Sequence, residues 1–199
     1  MFIVVEGIDG CGKSTQIFLL AKYLSSLNKY AHILITRNPC KDREIRKILR
    51  QDESPEAQAE KLTELFIQDR IEHTNELVLP NLEKNVIVIS DRYKYSTICY
   101  QAAQGQDIQK LIDLQKSFPL PDFIFVVDVS LDMSFERMNK EKDTRGEQKF
   151  EKSREFQEKV RANYLKLPEL LPDENIIVID GSKSVDDVFE QIKKHFVKV

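Results

Sequence analysis

Short unbroken apolar runs alternate along the chain with longer stretches whose apolar positions recur every three or four residues. The runs are Phe2 to Val5, His32 to Thr36, Val86 to Ser90, Phe123 to Val127 and Ile176 to Ile179, all rich in β-branched and aromatic residues. Each predicts a strand covered on both faces, because a strand with one wet face would alternate apolar with polar positions. Glycines follow the first run, and then Ile17, Leu20, Ala21, Leu24 and Leu27 fall at helical spacing. This order of strand, turn and helix recurs, and it predicts a three-layered α/β fold, a five-stranded parallel sheet flanked by helices. Ser54 with Pro55 reads as a helix start, opening a long helical stretch that reaches Leu79 before Pro80. The densely charged stretch Asn139 to Gln148 lacks apolar periodicity and predicts a mobile surface loop. With no repeat, low-complexity tract or linker, the 199 residues are expected to form a single domain.

Composition narrows the function classes. Hydrophobic residues make up 41% and charged residues 32%, ordinary for a globular protein rather than a disordered or membrane-embedded one. The formal net charge of −3 lacks the basic excess of a duplex-binding surface, so nucleic acid is not an expected partner. Cys11, Cys40 and Cys99 are odd in number and widely spaced, which suggests neither a disulfide framework nor a zinc site. The opening apolar run is too short for a signal peptide or a membrane span. The expected location is therefore the cytoplasm, with no membrane partner.

The strongest chemical signal is Gly7-Ile8-Asp9-Gly10-Cys11-Gly12-Lys13-Ser14, a G-x-x-x-x-G-K-[ST] phosphate loop lying between a strand and a helix. Its glycines permit the turn and let backbone N–H groups converge on phosphate oxygens at a helix N-terminus. Lys13 is expected to reach the β- and γ-phosphates of ATP, and the Ser14 hydroxyl to ligate Mg²⁺. The run from Val86 delivers Asp91 to the C-terminal edge of the sheet, where open α/β sheets bind ligands. Asp91 suits holding the magnesium water shell or helping the attacking oxygen, and equally suits capping a helix. Arg92 follows it, placing a guanidinium fork beside the metal. A GTPase is disfavoured, since the nearest approach to N-K-x-D is Asn139-Lys140-Glu141-Lys142, with lysine where aspartate is required.

Several segments together resemble the thymidylate kinases, which share the nucleoside-monophosphate-kinase fold. These are Phe2 to Thr15, Thr36-Arg37-Asn38-Pro39, Leu65-Phe66-Ile67-Gln68-Asp69-Arg70, Asp91-Arg92-Tyr93-Lys94-Tyr95-Ser96-Thr97-Ile98-Cys99-Tyr100-Gln101, and Pro121-Asp122-Phe123 with its strand. The likeness covers nearly the whole chain. It departs at Asn38, where the family has glutamate or phenylalanine, and at Cys99, where alanine is usual. The resemblance implies transfer of the ATP γ-phosphoryl group to dTMP, giving dTDP. It implies that Phe66 stacks on thymine and Arg70 donates to its C4 carbonyl, two positions that share a helical face. It further implies that Arg37 and Arg92 hold the acceptor phosphate and that Ser96 and Thr97 approach thymine or phosphate. Tyr100 would lie against the sugar, and Arg137 over the adenine. Gly7, Asp9, Gly10, Cys11, Gly12, Lys13, Ser14 and Thr15 would form the donor site, and 139–149 the lid. Relatives are homodimers, and that too is expected here.

Other readings of these residues stay open. Phe66 suits a core position and Arg70 a pairing with Asp69 or Glu76, while Arg92 and Arg137 suit structural salt bridges. Tyr95 is read as helix packing. Asp9, a carboxylate in an anion-binding loop, needs a donor, and the acceptor's 3′-hydroxyl is the expected one. The loop carries Gly10-Cys11 and no arginine, so a lid cation must compensate charge on the transferring group; Arg145 is the choice and Lys142 the second, with Lys140 and Lys149 as solvated charges. A kinase for another nucleoside monophosphate and a non-catalytic nucleotide-binding regulator are the alternatives.

Overall fold

Five strands, β1 (Phe2–Glu6), β2 (Ile33–Arg37), β3 (Ile87–Asp91), β4 (Phe123–Asp128) and β5 (Ile176–Asp180), form one sheet in the order β2-β3-β1-β4-β5. All four pairings are parallel. The computed structural model describes residues 1–40, 43–51, 58–140 and 154–196, without the side chains of 43, 50 and 51. Every strand ends one residue beyond its apolar run, and that residue is charged: Glu6, Arg37, Asp91, Asp128 and Asp180. The ladder hydrogen bonds are blind to side-chain polarity, so pairing continues into the polar edge where ligands bind. Strand order reverses at β1, with β2 and β3 on one side and β4 and β5 on the other.

Helices cover both faces: α1 (Lys13–Leu27), α2 (Arg43–Gln51), α3 (Ala59–His73), α4 (Leu79–Glu83), α5 (Lys94–Ala103), α6 (Ile108–Asp113), α7 (Leu131–Lys140), α8 (Arg154–Leu170) and α9 (Val185–Lys193). The core is continuous from α1 (Ile17, Leu20, Leu24) through β1 and β4 to α8 (Val160, Tyr164, Leu167). Among the described residues no helix is long and apolar enough to cross a membrane.

Two expectations about boundaries are corrected. The long helix does not stop at Leu79: after α3 the chain passes through a π-helical turn, Thr74–Val78, into α4, with Pro80 in the first turn of α4. The N–H of Leu79 donates to Thr74 O, five residues back. Proline has no N–H and its ring clashes with the carbonyl four residues earlier, and the wider turn relieves that clash without ending the helical path. Ser54 and Pro55 lie outside the described residues. Asn139 and Lys140, expected in the charged loop, instead close α7, where Lys140 pairs with Glu136 at 2.7 Å; 141–149 lie outside the described residues.

Leu20 is fully buried between α1 and the sheet. Leu20→Ala is expected to lower stability by about 2–5 kcal/mol through lost burial and the cavity left behind, measured as the shift in urea unfolding free energy.

Candidate active site

The loop between β1 and α1 takes its path from three glycines in left-handed or otherwise positive-φ conformations, Gly7 (φ 136°), Gly10 (φ 72°) and Gly12 (φ 101°). At Gly7 the need is steric as well, since a Cβ would stand 2.5 Å from Val127 O of the neighbouring strand. Gly12 caps α1 without a side-chain bond, which leaves the first-turn amides free for an anion. Lys13 is buried and its Nζ donates to Gly7 O at 3.0 Å and Ile8 O at 2.9 Å, with Cys11 Sγ at 3.7 Å. Ser14 is half-buried and Thr15 exposed in the first turn of α1. Helix α7 seats against this loop, with Ser134 Oγ donating to Asp9 O at 2.7 Å. From the same helix Arg137 reaches Cys11 O at 3.2 Å and Gly181 O, after β5, at 3.1 Å. Among the described residues its hydrogen bonds thus go to backbone carbonyls.

Across the C-terminal edge of the sheet, Asp9 and Arg92 meet. Arg92 Nη2 donates to Asp9 Oδ1 at 2.7 Å, and Nη1 to Ser96 Oγ at 2.9 Å and Tyr164 Oη at 3.1 Å. Tyr100 adds a hydroxyl to Asp9 Oδ2 at 3.3 Å and lays its ring 5.3 Å from the Arg92 guanidinium carbon. The donor that Asp9 requires is therefore supplied by the protein, which revises the reason for assigning it to a substrate hydroxyl. Burial pushes the Asp9 carboxyl up, but the charges of Arg92 and Lys13 and the bonds from Arg92 and Tyr100 outweigh it and hold the group down at about 2.

Next along the edge, Arg37 Nε and Nη2 both donate to Asp91 Oδ2, at 3.2 and 2.7 Å. The arginine side chain is 63% exposed and Asp91 only 8%. Asp91 Oδ1 is buried and, among the described residues, has no hydrogen-bond partner.

The two helical-face residues part company. Phe66 is half-buried and outside the main apolar cluster. Arg70 is 1% exposed, and its guanidinium donates to Asn38, Gln115, Tyr93 O and Thr97. Asn38 lies between Arg70 and Asp69, accepting from Arg70 Nε at 3.0 Å and donating to Asp69 Oδ2 at 3.0 Å. Thr97 Oγ1 accepts from Arg70 Nη2 at 2.7 Å. Desolvation lowers the Arg70 pKa to about 10, against the charges of Tyr93, Glu6 and Asp69. Tyr95 is buried and its hydroxyl bonds Glu174, as packing requires. Lys142, Arg145 and Lys149 lie outside the described residues.

Sequence reasoning missed Glu6, Asn38, Gln115 and Tyr164. Glu6 was visible only as one letter of a motif, and Tyr164 shares its helical face with Phe156, Val160 and Leu167, so periodicity makes it one more core residue. Gln115 follows α6 outside every motif and carried no signal.

Comparison with known proteins agrees over nearly the whole chain. The family model for thymidylate kinase matches residues 5–192. A probable thymidylate kinase of Thermococcus kodakarensis is 39% identical over 202 residues, covering 96% of this chain and 95% of that protein. A thymidylate kinase of Thermosipho melanesiensis is 37% identical over 201 residues, covering 98% and 96%. The crystal structure of thymidylate kinase from Ehrlichia chaffeensis superposes with a TM-score of 0.74 at 29% identity, covering 98% of this chain and 97% of that one.

The Asp9 carboxyl titrates lower when folded than when unfolded, so its contribution to stability is present above about pH 4 and is lost as pH falls toward about 2. Asp9→Asn is expected to be less stable than wild type at neutral pH. The gap should close across that acid window, read from melting temperatures of both proteins between neutral pH and pH 2.

Proposed function

The chain belongs to the thymidylate kinase family, and from that premise we propose how its residues carry the γ-phosphoryl group of ATP to dTMP. The protein is an enzyme, a dTMP kinase that forms dTDP. Phosphoryl transfer asks for alignment and charge compensation rather than a covalent intermediate. Lys13 and the amides of the phosphate loop hold the donor phosphates, and Arg137 lies along the adenine. Arg37 and Arg92 hold the acceptor phosphate in line. Asp9, Ser96 and Tyr100 orient Arg92 and border the sugar, while Phe66, Arg70 and Thr97 take the base. The observation that carries this reading is the 2.7 Å contact between Arg92 and Asp9, which sets an acceptor-side guanidinium against the donor-binding loop.

Mg²⁺ fits the residues present. Asp91 Oδ1 is buried without a protein partner, and Ser14 opens α1 beside the loop. Among the described residues no cluster of His, Cys, Asp or Glu could hold a metal alone, as suits a cation that draws most ligands from phosphates and water. When bound, Mg²⁺ neutralises charge on the β- and γ-phosphates; Ser14 would ligate it and Asp91 would orient its water. Arg145 is assigned the cation that meets charge on the transferring group. One sheet and one continuous core support a single domain. A homodimer in the cytoplasm completes the reading, on the resemblance alone.

Steady-state ADP release with ATP, Mg²⁺ and a panel of dTMP, dUMP, dCMP, dAMP and dGMP tests the function. The highest kcat/KM is expected with dTMP, and a higher value with another acceptor overturns the reading. Arg70→Ala is expected to raise the KM for dTMP by about tenfold or more, the worth of a hydrogen bond from a charged donor, with the KM for ATP unchanged. Arg145→Ala should slow the single-turnover chemical step by roughly a thousandfold, and a wild-type step would remove that assignment.

A further inference from the structure

Arg70 is buried between two aromatic rings. Its guanidinium carbon lies 5.6 Å from the Tyr93 ring centroid and 5.5 Å from that of Phe118. Nε donates to Asn38 Oδ1 at 3.0 Å, Nη1 to Gln115 Oε1, and Nη2 to both Tyr93 O at 3.2 Å and Thr97 Oγ1 at 2.7 Å. A guanidinium carries five N–H groups, so among the described residues these bonds leave one hydrogen, on Nη1.

Of the four acceptors, Tyr93 O and Thr97 Oγ1 belong to the start of α5 and are carried by the backbone there. The other two are side-chain amides, which could turn over and present N–H to N–H. Each is prevented from doing so by a bond at its far end. Asn38 Nδ2 donates to Asp69 Oδ2 at 3.0 Å, and Asp69 also accepts from Cys40 N at 3.0 Å. Gln115 Nε2 donates to Leu111 O at 3.3 Å. Both amides are buried, at 3% and 1% exposure, so water cannot substitute for either partner. The chemistry at position 38 is demanding: a carboxylate would face Asp69, and an apolar side chain would leave Nε–H unpaired. A group that accepts on one side and donates on the other meets both requirements.

We propose that Asn38 and Gln115 are positioning residues for base selection: they aim the one unengaged N–H of Arg70 at the C4 oxygen of the pyrimidine and so favour a 4-keto over a 4-amino base. The proposal rests on the reading of Arg70 as the residue that meets the base. A 4-amino pyrimidine turns an N–H toward that N–H, and a guanidinium locked at four points cannot rotate to relieve the conflict. A guanidinium with one lock removed can.

The test measures kcat/KM for dTMP and for dCMP, the KM for ATP and the melting temperature in Gln115→Met, Gln115→Glu, Asn38→Ala and, as reference, Arg70→Ala. Gln115→Met and Asn38→Ala are expected to raise the KM for dTMP roughly tenfold, the worth of one hydrogen bond, with kcat and the KM for ATP unaltered. The dTMP to dCMP ratio of kcat/KM should fall by a similar factor. Gln115→Glu keeps the acceptor and should keep the ratio, which a packing role for Gln115 would not predict of Met and Glu together. A folded Gln115→Met or Asn38→Ala with the wild-type ratio overturns the proposal, and the two sites are far enough apart in the chain that misfolding of one variant leaves the other to decide. If Arg70→Ala itself leaves the ratio unchanged, the reading of Arg70 fails and the proposal falls with it; if only the amide variants leave it unchanged, the proposal alone fails.

Discussion

Glu6 closes the central strand with no exposure to solvent, and its carboxylate accepts from four donors. These are Tyr93 N at 2.7 Å, Ser96 N at 3.2 Å, Ser96 Oγ at 2.7 Å and Tyr164 Oη at 2.8 Å. The first two are unpaired amides at the start of α5, a helix that has no side-chain cap of its own. A carboxylate from a distant strand takes the place of the cap and meets the positive end of the helix dipole. Burial pushes the Glu6 pKa up, against the Arg92 charge and the bonds from Ser96, Tyr93 and Tyr164. A buried carboxylate is tolerable only when its lone pairs are met, so strand, helix start and α8 depend on one another.

In the proposed reading, the acceptor side is laid out from that junction in two directions. Arg92 sits at φ 71°, a left-handed conformation that costs a non-glycine residue about 1–2 kcal/mol. Its N–H is held by Val5 O at 3.0 Å, and its guanidinium by Asp9, Ser96 and Tyr164. The bend that this backbone makes turns the guanidinium back over the phosphate loop. In the other direction, Thr97 and Tyr93 O, both at the start of α5, hold Arg70 on α3. Phosphate side and base side thus share one helix start, and that start is set from β1.

Much of this was legible in the sequence, for a consistent reason. The strands, the phosphate loop and the Asp91 to Gln101 segment are written in contiguous residues whose local pattern determines what they do. What stayed hidden depends on partners far away in the chain. Glu6 acts on Tyr93, Ser96 and Tyr164, Asn38 acts on Arg70, and Gln115 acts on the same guanidinium; spacing within one helix or strand carries none of these pairings. The π-helical turn before Pro80 was hidden for a different reason, since proline ordinarily marks a helix end and here the backbone absorbs it. Asn38 shows how a departure from a family pattern misleads. Judged alone it reads as a tolerated substitution, whereas among its neighbours its amide is the group that reconciles Arg70 with Asp69.

The charges at the sheet edge follow one rule: among the described residues, each cation proposed to hold a phosphate already has a partner within the protein. Arg92 has Asp9, Arg37 has Asp91, and Lys13 has the loop carbonyls. An unpaired guanidinium or ammonium buried beside an apolar sheet would be costly, and these partners make the arrangement tolerable. In the proposed reading, a phosphate arriving at Arg92 would compete with, or share, the Asp9 carboxylate, which remains ionised because its pKa is held at about 2. That competition would weaken ground-state binding of the acceptor phosphate. It also keeps the guanidinium oriented throughout, so that no reorganisation is required when charge moves between donor and acceptor oxygens. The exposed Arg37 is the freer of the two arginines. Both of its bonds go to Asp91 Oδ2, so Asp91 Oδ1 stays open whether or not Arg37 leaves.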